Sequence, residues 1–377
     1  MKKLKYLILS LILLINTTFF VNAQSNRHIG LCLAAGGNKA AYQVGVWKYL
    51  RESGQAKTIC GISGASMSAV NAALFAGRTA EEVQKIWEDV LSQNPTLAMD
   101  ISLTSMLGNA TSEYAETIGL IYETNKSNVN SKSEMILNTA KDSAVIGSRA
   151  VISFIKDSFW KYLSTQDKVE GLYERDDLTQ ILNQYILTDA IQNAKYEIYA
   201  AAIRKEKLAL KSVSGIAGNT ATIFRLRDQK SSPDDIVNIL MASSATPFAF
   251  TTVTLSDKVM DYNKGKPKAV GKQYEYLDGG FGLCGGKYLS IDPLLNDKNV
   301  YEIIVVYLDC ASKLGLHKLD PNKLNKNIIE IIPSMDLDTF ANTKTPIDKS
   351  KIHQLIELGY SDAKTIFENI DRLNDDE

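Results

Sequence analysis

The chain has 377 residues, 45% of them hydrophobic and 23% charged, with a formal net charge of −1. That is the composition of a globular protein with room for one large domain or two small ones, and it lacks the basic balance of a nucleic-acid partner. The four cysteines form no C-x-x-C pair and the three histidines show no ligand spacing, which argues against a zinc site; no metal or cofactor is expected.

The first segment reads as a targeting signal. Lys2, Lys3 and Lys5 precede an apolar run from Leu7 to Val21, and Val21-Asn22-Ala23 closes it before Gln24 with a small-residue cleavage pattern. The expectation is a secretory signal peptide over residues 1–23, with an uncleaved anchor as the alternative. The mature chain, 24–377, is then exported: periplasmic, outer-membrane-associated or secreted. Forty-two basic residues less these three lysines, against forty-three acids, leave it at −4. No other apolar run has membrane-spanning length. Of Cys32, Cys60, Cys284 and Cys310, three lie in or beside strand-like runs and read as buried thiols; sequence gives no disulfide pairing.

Ile29 to Ala34 is a strand-length apolar run. Ala35-Gly36-Gly37-Asn38-Lys39 follows, and Ala40 to Leu50 carries apolar residues at helical spacing. A glycine loop that runs into a helix gathers free N–H groups at one point, where phosphate or an oxyanion can be held. The spacing is neither that of a P-loop nor G-x-G-x-x-G. Thr58 to Ile62 is a second buried strand, and an Ala-rich helix ending at Gly77 comes after Gly61-Ile62-Ser63-Gly64-Ala65-Ser66. A serine on such a turn stands over the first N–H groups of the helix, as a nucleophile requires. Ser63 belongs to the strand exit and Ser66 to the helix start, so Ser66 is the candidate. Ser68 stands where a full G-x-S-x-G would have glycine; it is expected to crowd the turn, so that Ser68→Gly leaves turnover unchanged or raises it.

A mostly helical insertion is predicted over about 95–194, with apolar residues near helical spacing between Met135 and Leu163 and a further amphipathic helix from Asp176 to Ile191. It reads as core packing, or as a lid or lipid-facing surface. Tyr196–Ile203, Leu210–Val213, Thr220–Leu226 and Tyr301–Leu308 are strand-like, and Pro233–Met241 is a helix with proline in its first turn.

Four blocks, in order, resemble the patatin-like phospholipases. Leu31 to Trp47 matches L-x-L-S-G-G-G-x-R-G-x-x-x-x-G-V-L without a gap. Gly64-Ala65-Ser66-Met67-Ser68-Ala69-Val70-Asn71-Ala72 matches G-x-S-A-G-A-x-N-A, with Asn71 in register for Ser66. Ala242 to Phe250 matches A-S-x-A-x-P-x-x-F, and Tyr276-Leu277-Asp278-Gly279-Gly280 matches Y-x-D-G-G. Lys351 to Phe367 is similar to the family's closing helix, so the resemblance covers about 29–370. Ala35, Lys39, Ala40 and Ser68 depart from the pattern.

The resemblance implies an α/β fold with a central, mostly parallel sheet flanked by helices. It implies an acyl hydrolase of phospholipid or other lipid esters, of phospholipase A or lysophospholipase type, that meets a membrane surface peripherally. Ser66 would be the nucleophile and Asp278 the base that takes its proton and later activates water. The oxyanion hole would be formed by Gly36, Gly37, Asn38 and Lys39 together with Met67, the residue after the nucleophile. Two rivals stand beside this reading. One is a Ser–His–Asp hydrolase using His317 or His353. The other is a catalytically impaired lipid-binding protein, suggested by the four departures.

Overall fold

A computed structural model describes residues 28–93, 176–207, 221–232, 234–246, 250–263, 265–282, 289–314, 318–320, 324–340 and 348–375. The expected signal peptide, most of the helical insertion, the strand at Leu210–Val213, Cys284 and His317 lie outside these residues. In chain order the elements are β1 (Ile29–Leu33), α1 (Ala41–Glu52), β2 (Ile59–Ala65), α2 (Met67–Gly77), α3 (Ala80–Asp89), α4 (Asp176–Tyr185), α5 (Thr188–Gln192), β3 (Glu197–Arg204), β4 (Ala221–Arg225), α6 (Asp234–Ser243), β5 (Val253–Leu255), β6 (Met260–Asn263), β7 (Lys266–Ala269), β8 (Tyr274–Asp278), α7 (Asp292–Asn296), β9 (Glu302–Val306), α8 (Ala311–Leu314), β10 (Asn327–Ile331) and α9 (Lys349–Asp375).

The main sheet is mixed, and its parallel part runs β10-β9-β1-β2-β3. Helices cover this part on its faces, so its strands read as continuous apolar runs rather than alternating ones: all five residues of β1 are buried, as are Ile303 to Val306 of β9. Beyond β3 the direction reverses, with β4, β8 and β5 antiparallel to their neighbours. β6 and β7 form a separate hairpin.

β3 organises the far half. Tyr199 to Ala201 pair with both β2 and β4, whereas Ala202 and Ile203 pair with both β4 and β8. A strand has two edges, so β4 holds one of them and β2 and β8 share the other. β2 comes up that edge to Ala65 beside Ala201, and β8 comes down it to Asp278 beside Ala202. The two strands meet end to end. Small residues allow this approach: Ala200, Ala201 and Ala202 are consecutive in β3, and a Cβ on Gly279 would lie 2.0 Å from the Ala201 carbonyl oxygen.

α1 and α9 pack through a reciprocal pair of glycines. A Cβ on Gly45 would lie 1.8 Å from the Ile356 carbonyl oxygen, and one on Gly359 would lie 2.0 Å from that of Tyr42. Tyr42 is buried there and donates its hydroxyl to Asp362 of α9 (2.9 Å). On the opposite side of α1, Trp47 stacks on Phe75 of α2 at 4.7 Å, a pairing worth about 0.5–1.5 kcal/mol beyond burial.

The expected helix from Asp176 to Ile191 is broken into α4 and α5. Arg78 Nε donates to the Tyr185 carbonyl (2.9 Å), which takes that acceptor away from any continuing turn; Leu187 is extended and exposed, and the helix restarts at Thr188. Cys32 is a buried thiol in β1, and the half-buried Cys60 is pushed up to about 11 chiefly by desolvation. Among the described residues no helix is long and apolar enough to cross a membrane.

The β2–α2 junction carries backbone strain. Ser66 sits at φ 58°, ψ −141°, the only positive-φ residue other than glycine among those described, a conformation that costs on the order of 1–3 kcal/mol. Comparing Ser66→Gly with Ser66→Ala isolates that cost, because both remove the hydroxyl. The glycine variant is expected to be the more stable by about 1 kcal/mol in urea denaturation, after its greater unfolded-state entropy is counted; equal stability would deny the strain. Gly359→Ala is expected to destabilise by about 1–3 kcal/mol, because the added methyl meets backbone that cannot rotate away. A change below about 0.5 kcal/mol would show that α1 and α9 can part at little cost.

Candidate active site

Ser66 stands at the end of β2 with α2 beginning at the next residue. The sharp turn needs Gly64, since a Cβ there would lie 2.5 Å from the Ser68 carbonyl oxygen and 2.8 Å from the Ala69 nitrogen, both backbone atoms. The strained conformation is held from below. Ser66 N–H donates to the Ser243 carbonyl (3.1 Å) and to Ser243 Oγ (3.0 Å), and Ser243 Oγ in turn donates to the Ala201 carbonyl of β3 (2.6 Å).

The end-to-end meeting of β2 and β8 brings Ser66 and Asp278 into contact across 212 residues of sequence. Ser66 Oγ donates to Asp278 Oδ2 at 2.7 Å, and both side chains are buried. Asp278 is held further through both its carboxylate and its backbone. Thr246 Oγ1 donates to Oδ2 (3.1 Å), Gly280 N–H donates to Oδ1 (2.8 Å), and Asp278 N–H donates to the Ala245 carbonyl (3.0 Å). The segment from Ala242 to Thr246 thus supports both members of the pair.

Ser63, the other serine of the stretch, is wholly buried and donates to the Ser290 carbonyl, away from Asp278. His353 is on α9, where its Nδ1 lies 2.8 Å from Glu88 of α3. Among the described residues, then, the carboxylate contacts the Ser66 hydroxyl directly, with no imidazole between them.

The glycine loop leaves the same end of the parallel sheet as Ser66, because β1 runs parallel to β2 with Cys32 opposite Ser63. Gly36 and Gly37 lead into a single 3-10 turn, Gly37–Ala40, that contacts α2. Among the described residues, the N–H groups of Gly36, Gly37 and Asn38 donate to no carbonyl or side chain, and α2 has no side-chain cap over its own first N–H groups, Met67 included. The Asn38 carboxamide is fully buried with neither its nitrogen nor its oxygen paired, a condition that costs about 1–3 kcal/mol.

Lys39 does not belong with these donors. Its N–H is spent on the Gly36 carbonyl (3.1 Å), and its buried ammonium lies 3.1 Å from Asp309 and 3.3 Å from Asp338. It ties the loop to the segments after β9 and β10. The expectation that Ser68 crowds the turn also fails. Its hydroxyl is turned to the loop and donates to the Ala34 carbonyl (2.6 Å), so removing it deletes a bond rather than a clash. Ala35 packs against Ala65 and Ala201, and Ala40 sits in ordinary helical backbone at φ −61°, so neither added methyl needs a strained position.

Sequence reasoning gave no role to Ser243, Thr246, Gln43 or Asn71. All four lie inside the recognised blocks, Gln43 in the first, Asn71 in the second and Ser243 and Thr246 in the third, and that is their signal; the partner each side chain takes is visible only in the fold.

The family model for patatin-like phospholipase matches residues 31–283. Similar solved structures include VipD from Legionella pneumophila, at 15% identity and TM-score 0.39, covering 91% of this chain and 67% of that one. Another is the type III effector protein ExoU, at 16% identity and TM-score 0.34, covering 90% of this chain and 53% of that one. The chain therefore spans about two thirds of the length of the first and about half of the second. No curated protein sequence matches it. The family is one of lipid acyl hydrolases, and with the match running from the first glycine-loop strand through the Asp278 turn, this chain belongs to the patatin-like phospholipase family.

Proposed function

We propose that the protein is a serine acyl hydrolase of phospholipid or related lipid esters, of phospholipase A or lysophospholipase type, working with a Ser66–Asp278 dyad. The observation that carries this reading is the direct 2.7 Å bond from the Ser66 hydroxyl to a buried carboxylate. Asp278 takes the hydroxyl proton as Ser66 Oγ attacks the ester carbonyl and gives it to the departing alkoxide, so that the alcohol leaves and an acyl-enzyme forms. Asp278, ionised again, takes a proton from the water that attacks the acyl carbonyl and passes it to Ser66 Oγ as the C–O bond to serine breaks and the fatty acid is released. The negative oxygen of each tetrahedral intermediate lies against the N–H groups of Gly36, Gly37, Asn38 and Met67; such a donor is typically worth about 3–4 kcal/mol. The lipid is met at a membrane surface without insertion of a spanning helix. Export rests on the reading of residues 1–23, and residues 24–377 then form the hydrolase with its helical insertion.

The departures that suggested an impaired enzyme each have a partner or ordinary backbone, which favours activity. His353, engaged with Glu88, does not favour the histidine rival.

A fluorophosphonate probe and a phospholipid turnover assay test the reading together. Ser66→Ala is expected to abolish labelling and to lower hydrolysis by at least about a thousandfold. Asp278→Asn, which keeps the shape and loses the base, should fall within about tenfold of it. Residues acting as one unit are non-additive, so the double variant should be little worse than Ser66→Ala. Ser63→Ala should still be labelled. Full activity in Asp278→Asn, or labelling that survives Ser66→Ala, would overturn the dyad.

A further inference from the structure

Both ends of the glycine loop are held by buried side chains from the helices behind it. At the first end, the Ala34 carbonyl accepts from Ser68 Oγ (2.6 Å) and from Gln43 Nε2 (2.8 Å), while Ala34 N–H donates to Val306 of β9 (3.0 Å). At the second end, the Ala40 carbonyl accepts from Asn71 Nδ2 (2.8 Å). Asn71 Nδ2 also donates to Gln43 Oε1 (3.1 Å), and Asn71 Oδ1 accepts from Trp87 Nε1 (2.8 Å). Ser68, Gln43, Asn71 and Trp87 are all buried at 1% exposure or less. Each polar atom named here is matched, and a fully satisfied buried network is a rigid one.

Ser68 has a special place in this network. It lies in the first turn of α2, two residues after Ser66, and the carbonyl it holds is two residues before Gly36. One hydroxyl therefore couples the nucleophile's helix to the loop whose N–H groups are unpaired.

We infer that Ser68, with Gln43, is a positioning residue that fixes the distance between the Ser66 oxygen and the glycine-loop N–H donors. This rests on the dyad reading above. Its effect falls on the tetrahedral intermediate, where those donors meet full negative charge, and not on binding of the neutral ester. Preorganised donors lose most of their value when they are free to drift by fractions of an ångström.

The test uses the full mature chain and a long-chain alkyl trifluoromethyl ketone, which adds the Ser66 oxygen to its carbonyl carbon and leaves an alkoxide in the place of the tetrahedral oxyanion. Fluorine NMR reports the adduct. In the wild type an adduct should form, and it should vanish in Ser66→Ala; no adduct in the wild type, or one that persists in Ser66→Ala, overturns the dyad reading and this inference with it. Given the adduct, Ser68→Ala and Ser68→Gly should lower kcat about tenfold with KM within twofold. Ketone affinity should fall by the same factor as kcat/KM. Gln43→Met, which keeps length and loses both hydrogen-bonding ends, should act in the same sense, and its combination with Ser68→Ala should cost less than the product of the two. If kcat holds in the Ser68 variants, or falls while ketone affinity is unchanged, Ser68 is packing only and the inference fails, whatever becomes of the melting temperature.

Discussion

The structure turns on a meeting of two strand ends. β2 rises along one edge of β3 and β8 descends along the same edge, so that the last residues of each face one another over Ala201 and Ala202. Sheet hydrogen bonding fixes both approaches in register. A shift of either strand by one residue would turn its terminal side chain to the opposite face of the sheet. The 2.7 Å contact of Ser66 with Asp278 is therefore a consequence of backbone pairing, with side-chain rotamers left little to decide. The same geometry explains the small residues nearby. Ala35, Ala65 and Ala201 pack together beneath the site, Gly64 admits the start of α2, and Gly279 admits the Ala201 carbonyl.

Strain at Ser66 and support from α6 are two sides of one arrangement. A positive φ on a residue with a side chain persists only where its surroundings over-determine it. Here Ser66 N–H is shared by the Ser243 carbonyl and hydroxyl, and that hydroxyl is anchored to β3. Two and three residues on, the Ala245 carbonyl and the Thr246 hydroxyl hold Asp278 from its backbone and its carboxylate. One short segment at the end of α6 thus fixes the relative position of both groups, which gives the Ala-Ser-x-Ala-Thr block a physical reason to lie where it does.

Much of this was legible in the chain. Continuous apolar runs marked β1, β2 and β9, and glycine loops before Ala41 and Met67 marked two strand-to-helix turns at one end of a parallel sheet. Ser66 could be preferred to Ser63 because the first lies at a helix start and the second in a strand, and Ser63 is in fact sealed within β2. What could not be read were relations between distant residues. Nothing local says that β8 runs against β3 rather than with it, or that Arg78 ends α4 by taking the Tyr185 carbonyl. Lys39 and Ser68 were misjudged for a related reason. From sequence Lys39 counts among the oxyanion-hole residues and Ser68 as bulk in its own turn, whereas each spends its side chain on another segment: Lys39 on Asp309 and Asp338, Ser68 on Ala34.

A carboxylate that deprotonates serine without an imidazole puts a larger demand on the rest of the site. In model compounds an aspartate is a weaker base than histidine by about 2.6 pKa units, and at 1.36 kcal/mol per unit that is about 3.5 kcal/mol less driving force for proton removal. The shortfall must be made up where the negative charge arrives. One well-placed oxyanion donor contributes about 3–4 kcal/mol, so a loop offering several N–H groups can cover it, provided they stay in place when charge develops. That requirement accounts for a glycine loop fixed at Ala34 by Ser68 and Gln43, at Ala40 by Asn71, and on its flank by Lys39. In the proposed dyad the simplicity of the base and the rigidity of the loop belong together: with fewer groups to move the proton, more of the barrier is lowered by donors that do not move.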